Sequence, residues 1–472
     1  MSFKDQPFDF LTLCLSGGGY RAAAFHLGSM AYLDHARYGG SSLLQQVKVL
    51  SSVAGGSLTG AMYTTTLWKK QPFSQCFNRL YSLMKNTDLV DEGLRRLGHE
   101  EWPAFKTRNL ANAIAQVYHE LFFDETFEIF WQNGNDHLDE IIFTTTESSG
   151  KEAFRFQKTL NDEGYFGSRR YQIPLSAAKE IRIADVVAAS FCFPGGFEPM
   201  TFPHDFQHAD ATHLNQWMKN SPSGDINTYP VKIMDGGASE NHGIGSAIQA
   251  ERRVREGTNK NNAETEHINL LIFSDVATPD INTLEMNLTD HILSGKKTSP
   301  QRENSVLRRI RNMFSRRGNL FSGVLSGQQH ERSYRTLMNS VFELREGQVS
   351  RSVPHKKALN LMDAIPEPGR HVERVSDIAA SVGTALWFTP EELEGKENKL
   401  DSLIACGSFD MCFQLLKYIE CLYQTAGDRN FNDKAREQVG ELYRQVQQDW
   451  EDFRKDPFRI VEQLIENQNE QI

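Results

Sequence analysis

The chain has 472 residues, of which 39% are hydrophobic and 24% charged, a composition typical of a folded globular protein. Its formal net charge of −10 argues against a general nucleic-acid-binding protein. Its six cysteines lack paired metal-ligand spacing, which argues against a disulfide framework or a zinc site.

The N-terminal region shows no targeting or membrane-spanning pattern. Its apolar run at Leu11–Leu15 is far too short to cross a bilayer. The first residues also lack the basic and apolar regions of a signal peptide. We therefore expect a cytoplasmic protein that associates with membranes only peripherally.

Strands and helices alternate over the first seventy residues. The pattern predicts strands at Phe10–Leu15 and Val47–Val53, each followed by a glycine-containing turn. Helices are predicted after these turns, at Arg21–His35 and Gly56–Leu67. This alternation favours an α/β fold in which helices cover both faces of a mainly parallel sheet.

The middle of the chain continues the α/β pattern after an interruption. Residues from about 70 to 135 have Leu, Phe and charged residues at helical spacing, which predicts a helical insertion. Beyond it we predict four strands and one short helix, namely strands at Glu140–Thr146, Ala153–Gln157, Val231–Met234 and His267–Ser274 and the helix at Ala184–Ser190.

The C-terminal part suggests the domain organisation. We predict one domain over residues 1–425, with insertions at about 70–135 and 278–380, and a helical extension over residues 426–472. A packed helix is predicted at Lys399–Tyr423. The extension has a narrow apolar stripe, which predicts contact with the core or with a second copy of the chain in a homo-oligomer. The stripe consists of Val439, Leu442, Tyr443 and Val446.

The second insertion is rich in basic side chains. Its stretch Val306–Phe314 alternates apolar and basic residues at helical spacing, which is typical of a helix at a membrane surface or of a surface helix packed on the core. An anionic activator is a third possible partner. The basic residues are Lys296, Lys297, Arg302, Arg308, Arg309, Arg311, Arg316 and Arg317.

The first motif is the turn from Ser16 to Arg21. Gly17, Gly18 and Gly19 allow positive φ angles, and the amides at the start of the following helix can form an oxyanion hole. Such a turn can also hold a nucleotide phosphate. However, the glycine spacing fits neither the dinucleotide fingerprint nor the Walker loop.

The second motif is a strand-to-helix turn similar to a nucleophile elbow. In the form G-x-S-x-G, the central side chain is exposed at a strained turn. Here Ser52 takes the place of the first glycine, Gly55 and Gly56 follow, and the central residue is Ala54. Alanine has no nucleophilic atom. Ser57 is an alternative nucleophile in principle, but it lies inside the helix rather than at the elbow.

The third motif is the run of Asp235 and two glycines directly after a strand. A carboxylate at the C-terminal end of a strand faces the crevice in which open α/β sheets place their sites. There it can act as the general base for a serine. In isolation the same tripeptide is also compatible with an ordinary turn.

Together these segments resemble the patatin-like phospholipase family. The resemblance covers most of the chain in order and includes two further segments, a strand pair and a helix that ends in a Pro-Gly stretch. The matching segments are Leu15–Gly28, Ser51–Ser57, Phe143–Phe156, Ala184–Pro199 and Asp235–Gly237. The resemblance implies a three-layer α/β/α fold with a mainly parallel sheet.

The resemblance also implies a function, the hydrolysis of acyl esters of membrane phospholipids by a Ser–Asp dyad without a cofactor. By analogy, Ala54 stands at the position of the serine, Asp235 is the base and the three glycines form the oxyanion hole. Arg21 would support the glycine loop or bind the lipid phosphate. We expect His26 and His242 to be structural. No calcium-loop pattern occurs, so no metal dependence is expected.

Ala54 leaves two explanations open. Either a serine was replaced deliberately, or the protein is a non-catalytic lipid-binding or scaffold protein on the same fold. The retained glycine turn, elbow and Asp235 favour the first, because an intact elbow has little use without its nucleophile. Some bacterial family members destroy membranes during phage infection, which implies gating by a nucleotide or protein activator.

Overall fold

The computed structural model describes residues 7–276 and 357–469, apart from residues 9, 133–136, 149–151, 163–164, 195, 221–230, 259–269, 361–364, 366–367, 384–385 and 427–431. The basic segment from Lys296 to Arg317 lies outside the described residues. The predictions made for its membrane or activator contacts therefore stay predictions.

The described residues contain twelve strands. Ten of them form one sheet, and β2 and β3 form a separate pair. The strands are β1 (Leu11–Leu15), β2 (Arg37–Tyr38), β3 (Ser41–Ser42), β4 (Val47–Val53), β5 (Glu140–Glu147), β6 (Glu152–Lys158), β7 (Phe166–Gly167), β8 (Gln172–Ile173), β9 (Met200–Phe202), β10 (Val231–Asp235), β11 (Leu270–Ser274) and β12 (Lys357–Asn360).

The large sheet is parallel in its centre and antiparallel toward one side. Its main order is β12-β11-β1-β4-β5-β6-β7-β8, and the strands from β12 to β5 are parallel. The strands from β5 to β8 are antiparallel, and β10 pairs antiparallel with both β5 and β9. The predicted, mainly parallel sheet is thus a mixed sheet with a parallel centre.

Helices connect and cover these strands. None of those described combines the length and apolar character that a bilayer-spanning segment requires. The helices are α1 (Gly19–His35), α2 (Gly55–Trp68), α3 (Phe73–Asn86), α4 (Leu89–Leu97), α5 (Leu110–Leu121), α6 (Leu175–Lys179), α7 (Ile183–Phe191), α8 (Thr212–Asn220), α9 (Ile244–Thr258), α10 (Arg370–Ala380), α11 (Lys399–Ala426), α12 (Asp433–Lys455) and α13 (Arg459–Asn469).

Apolar side chains pack on both faces of the sheet, as the alternation of side chains along β1 shows. Leu11 and Leu15 lie in the larger core, which also contains residues of α1, α2 and α11. Cys14 points to the opposite face and packs with Ile244 and Ala247 of α9. Successive side chains of a strand point to opposite faces, so both faces of the sheet are covered. The predicted three-layer α/β/α fold is confirmed.

Most predicted elements occur near their expected bounds. β4 has the bounds predicted from the sequence, and the predicted helical region at about 70–135 contains α3, α4 and α5. Residues 357–380 were expected to end the second insertion. They form β12, which pairs with β11 at the edge of the main sheet, and α10, which packs against α11.

Helices α1 and α11 cross with their backbones in contact. A Cβ atom on Gly28 would overlap the carbonyl oxygen of Ile404, and one on Gly407 would overlap the carbonyl oxygen of Phe25. A side chain at either glycine would force the helices apart. Since α1 begins at the glycine turn, this crossing fixes the helix that follows the turn.

The C-terminal helices dock on the core of the same chain. Val439, Leu442 and Val446 of the predicted apolar stripe are fully buried, and Tyr443 is partly buried. Of the two contacts predicted for the extension, the described structure therefore shows the one with the core.

A buried carboxylate reinforces this docking. Asp449 of α12 lies 3.2 Å from Nε2 of His35 and accepts hydrogen bonds from Arg459 at 2.6 Å and from Tyr32 at 3.2 Å. Its partners belong to α1 and α13, so one carboxylate joins three helices.

Candidate active site

Two strands, β4 and β10, pair with the same edge of β5, and their C-terminal ends face each other. β4 runs parallel to β5 and ends with Val53 opposite Thr144, whereas β10 runs antiparallel and ends with Asp235 opposite Thr145. β6 occupies the other edge of β5, so β4 and β10 share an edge and point toward each other. A Cβ atom on Gly236 would lie 2.9 Å from Cγ1 of Val53. The predicted elbow and the predicted Asp-Gly-Gly turn therefore meet here.

The elbow itself is a strained turn between β4 and α2. Ala54 has φ 45° and ψ −114°, a backbone conformation that a non-glycine residue rarely adopts. A Cβ atom on Gly55 would overlap the carbonyl oxygen of Gly19, and one on Gly56 would overlap that of Leu15. The two glycines are thus required by the close approach of the elbow to the glycine turn and to the end of β1.

Hydrogen bonds of buried serine hydroxyl groups stabilise the elbow. Ser190 of α7 accepts a hydrogen bond from the amide of Ala54 at 2.8 Å and donates to the carbonyl oxygen of Thr144 at 2.8 Å. Ser57, 2.9 Å from Ser190, must therefore donate to it, because the single proton of Ser190 is already used. Ser52 donates to a main-chain carbonyl of β5. The hydroxyl of Ser57 is buried, and its proton is used by Ser190.

The glycine turn lies beside the elbow and begins α1. Gly18 and Gly19 have φ angles of 142° and 65°. A Cβ atom on Gly17 would lie 3.2 Å from Cβ of Ala54. The amide of Gly17 donates to the carbonyl oxygen of Asn241 at 2.9 Å, so the predicted set of three oxyanion donors must be corrected. Within the described residues no acceptor is found for the amides of Gly18 and Gly19.

Asn241 joins the glycine turn to the turn of Asp235. Its main chain accepts the amide of Gly17, and its side-chain Oδ1 lies 2.9 Å from where a Cβ atom on Gly237 would be. A Cβ atom on Gly17 would overlap the same Oδ1 atom. The side chain of Asn241 therefore occupies the space between the two turns.

Asp235 lies at the end of β10 with its carboxylate held by the following turn. Oδ1 accepts a hydrogen bond from the amide of Gly237 at 2.5 Å, and the amide of Asp235 donates to the carbonyl oxygen of Cys192 at 2.9 Å. The residue is partly accessible to solvent, but surrounding protein atoms desolvate its carboxyl group. This burial raises its pKa from 3.8 to about 7, against the opposing effect of the Gly237 amide. No basic side chain of the described segments pairs with it.

A family model supports the resemblance carried by these segments. The model for patatin-like phospholipases matches residues 13–248, half of the chain, which includes the glycine turn, the elbow and Asp235. The chain belongs to the patatin-like phospholipase family. No curated protein matches the chain.

Solved structures of one human enzyme are also similar to this patatin-like chain. The structure of human GIVD cytosolic phospholipase A2 matches with a TM-score of 0.42 and 12% identity, covering 92% of this chain and 63% of that chain. Its complex with methyl gamma-linolenyl fluorophosphonate and terbium chloride matches with a TM-score of 0.39 and 11% identity, covering 92% and 60%. The present chain thus spans less than two thirds of the length of these structures.

Two residues predicted around the patatin-like glycine turn contact the end of β11 and the segment directly after it. Arg21 donates from Nη2 to the carbonyl oxygen of Val276 at 2.9 Å. His26 lies 2.8 Å from Oγ of Ser274 through Nδ1 and 2.9 Å from the carbonyl oxygen of Ser16 through Nε2. Burial lowers the pKa of His26 to about 4, so the ring is neutral and Nε2 donates. The structural role predicted for His26 is confirmed.

Two site residues carried no recognisable signal in the sequence. Asn241 and Asp275 lie far along the chain from the residues that they contact, and neither belongs to a motif with a fixed spacing. Ser190 lies in a predicted helix, but its contact with the elbow was not predicted. Among the described residues, no group of three or more His, Cys, Asp and Glu side chains could hold a metal ion.

Proposed function

We propose that the patatin-like site of this chain is built to hydrolyse acyl esters of membrane phospholipids, and that Ala54 leaves it without its nucleophile. The proposal rests on the ends of β4 and β10, which point toward each other along one edge of β5. This arrangement brings a strained elbow and a carboxylate with a raised pKa to adjacent positions on β5. Perturbed carboxylates of this kind are frequent at catalytic sites.

The proposed reaction requires a serine at position 54. Its hydroxyl oxygen would attack the ester carbonyl carbon while Asp235 takes the proton. The negative charge on the carbonyl oxygen would be stabilised by the amides of Gly18 and Gly19. Collapse of this intermediate would release the lysolipid alcohol with the proton from Asp235. Water would then attack the carbonyl carbon of the acyl-enzyme while Asp235 accepts its proton. Collapse of this second intermediate would release the fatty acid, and the proton would pass from Asp235 to the serine oxygen.

Each predicted site residue has a place in this proposal. Ser52, Gly55 and Gly56 shape the elbow, and the three glycines shape the turn that supplies the oxyanion donors. Arg21 bonds to Val276, two residues after β11, and its contact with a lipid phosphate is part of the proposal. We further propose that the chain reaches its substrate by peripheral association with the membrane.

The test is the substitution Ala54→Ser. Turnover of short-chain soluble esters and of phospholipid vesicles should rise on the order of a million-fold above the chain with Ala54, because this is the typical cost of losing a serine nucleophile. Ala104→Ser, which adds the same oxygen to an exposed loop, is the matched control and should remain silent. Free fatty acid release is the measurement.

The second candidate is a non-catalytic lipid-binding scaffold, and Ala54 itself favours it. The same experiment separates the two functions. An Ala54→Ser chain that folds and sediments with vesicles, yet hydrolyses no ester, would support the scaffold and contradict the hydrolase. Hydrolysis would exclude the view that the rest of the site has decayed.

A further inference from the structure

Three buried polar side chains meet beside the glycine turn, and we call Ser16, His242 and Asp275 the Asp275 cluster. Ser16 donates to Oδ1 of Asp275 at 3.0 Å, and Nε2 of His242 lies 2.5 Å from Oδ2. Their exposed fractions are 0%, 3% and 2%. A buried carboxylate is costly unless it is paired and hydrogen-bonded, as it is here.

Each member of the Asp275 cluster belongs to a different segment of the site. Ser16 directly precedes the glycine turn. His242 directly follows Asn241, whose carbonyl oxygen accepts the first amide of that turn. Asp275 directly follows Ser274, whose carbonyl oxygen accepts the amide of Ser16 at 3.1 Å. One carboxylate therefore connects the ends of β1 and β11 with the segment after β10.

The residue after Asp275 makes two more contacts with the glycine turn and its helix. The carbonyl oxygen of Val276 accepts the hydrogen bond from Arg21. Cγ1 of Val276 would lie 3.1 Å from a Cβ atom on Gly18. A glycine turn is conformationally permissive by itself, so these contacts are what restrict it.

We propose that Asp275 is a positioning residue, whose pairing with His242 and Ser16 fixes the glycine turn so that the amides of Gly18 and Gly19 face residue 54. Oxyanion donors are effective only when they are held in place before the charge develops. The purpose of those amides rests on the function proposed above, whereas the fixing of the turn does not.

The first experiment measures hydrogen–deuterium exchange in the chain with Ala54. In Asp275→Asn, the amides of residues 14–20 should exchange about tenfold faster, because the loss of a charge-assisted hydrogen bond makes local opening easier. Asp449→Asn is the matched control, since it also removes the charge of a buried carboxylate that pairs with a histidine. It should accelerate exchange in α12 and leave residues 14–20 unchanged.

The second experiment measures steady-state kinetics after Ala54→Ser. Adding Asp275→Asn should lower kcat about a hundredfold and change KM little, because the effect of a lost oxyanion donor falls on the transition state. His242→Gln keeps an N–H donor near Asp275 and should retain more activity than His242→Leu. A purely structural role would not produce this split between kcat and KM.

The possible outcomes test the positioning role of Asp275 separately from the proposed hydrolase function. Unchanged exchange at residues 14–20 in Asp275→Asn, or equal acceleration throughout the chain, would overturn the proposal. If the Ala54→Ser chain is inactive, the hydrolase function fails, and the exchange experiment still decides whether Asp275 fixes the turn. Full kcat in an active chain with a loosened turn would show that the positioning role is wrong.

Discussion

Two aspartates with desolvated carboxyl groups, one at the site and one at the docking surface of the C-terminal helices, have opposite environments. At the end of β10, Asp235 has one amide donor in Gly237, and burial raises its pKa to about 7. On α12, burial also opposes the ionisation of Asp449. There, however, hydrogen bonds and charges from His35 and Arg459 outweigh burial and lower its pKa.

The same type of side chain thus serves two different purposes in this molecule. The carboxylate on α12 is ionised and holds three helices together, so its charge contributes to stability. The carboxylate on β10 lacks a basic partner among the described residues and keeps its proton up to near-neutral pH. A group that gains and loses a proton near neutral pH suits acid–base chemistry, whereas a firmly paired one suits structure.

The largest expected effect is on activity, which should depend on Asp235 and not on Asp449. In the chain with Ala54→Ser, Asp235→Asn should lower kcat/KM on the order of ten-thousand-fold, because amide nitrogen cannot accept the proton of the serine. Asp449→Asn should leave kcat/KM unchanged below the unfolding temperature. Ester hydrolysis measured for both variants gives the answer. Full activity in Asp235→Asn would remove this carboxylate from the mechanism.

The next largest expected effect is on stability, where substitutions of Asp449 and Asp235 should act in opposite directions. Asp449→Ala should lower the free energy of unfolding by about 3 kcal/mol, since it leaves buried partners without their counter-charge. At pH 8, Asp235→Asn should raise the free energy of unfolding, because it removes a desolvated charge. Urea unfolding measures both. Asp452→Asn is the control that should change little, since its partly exposed carboxylate pairs with the exposed Lys455. A loss of stability in Asp235→Asn at this pH would contradict the comparison.

The smallest effect is the dependence of the site on pH. After Ala54→Ser, kcat should fall tenfold per pH unit below an apparent pKa of about 7, since Asp235 must be deprotonated to act as base. The folded chain keeps this proton up to about pH 7, whereas the unfolded chain loses it near pH 4. The contribution of Asp235 to the free energy of unfolding therefore falls as the pH rises through this window. A rate profile that is flat from pH 5 to 8 would count against a raised pKa.

Local sequence patterns predicted most of the central fold and the core of the site. The bounds of β4, the glycines at positions 18 and 19 and the position of Asp235 at a strand end follow from short-range requirements of strands, helices and turns. Gly55 and Gly56 were predicted from their place in the elbow motif. Such requirements are visible in a single sequence because each involves only a few neighbouring residues.

Long-range contacts could not be predicted in the same way. The pairing of β10 with the edge of β5 next to β4 depends on tertiary packing, because the local sequence of a strand does not specify which strand it pairs with. The amide of Gly17 was expected to be a donor to substrate, but it is taken by Asn241, more than two hundred residues away. Asp275 gave no signal for the same reason, since one buried carboxylate after a strand resembles an ordinary turn residue.

The shared edge of β5 sets the distance between the elbow and Asp235. Val53 and Asp235 pair with consecutive residues of one strand, so their separation is set by the strand rise of about 3.3 Å rather than by the segments that lead to them. Those segments are therefore free to lengthen or shorten during evolution without separating the reacting groups. A slip of one residue along β5 would instead turn a side chain to the other face of the sheet.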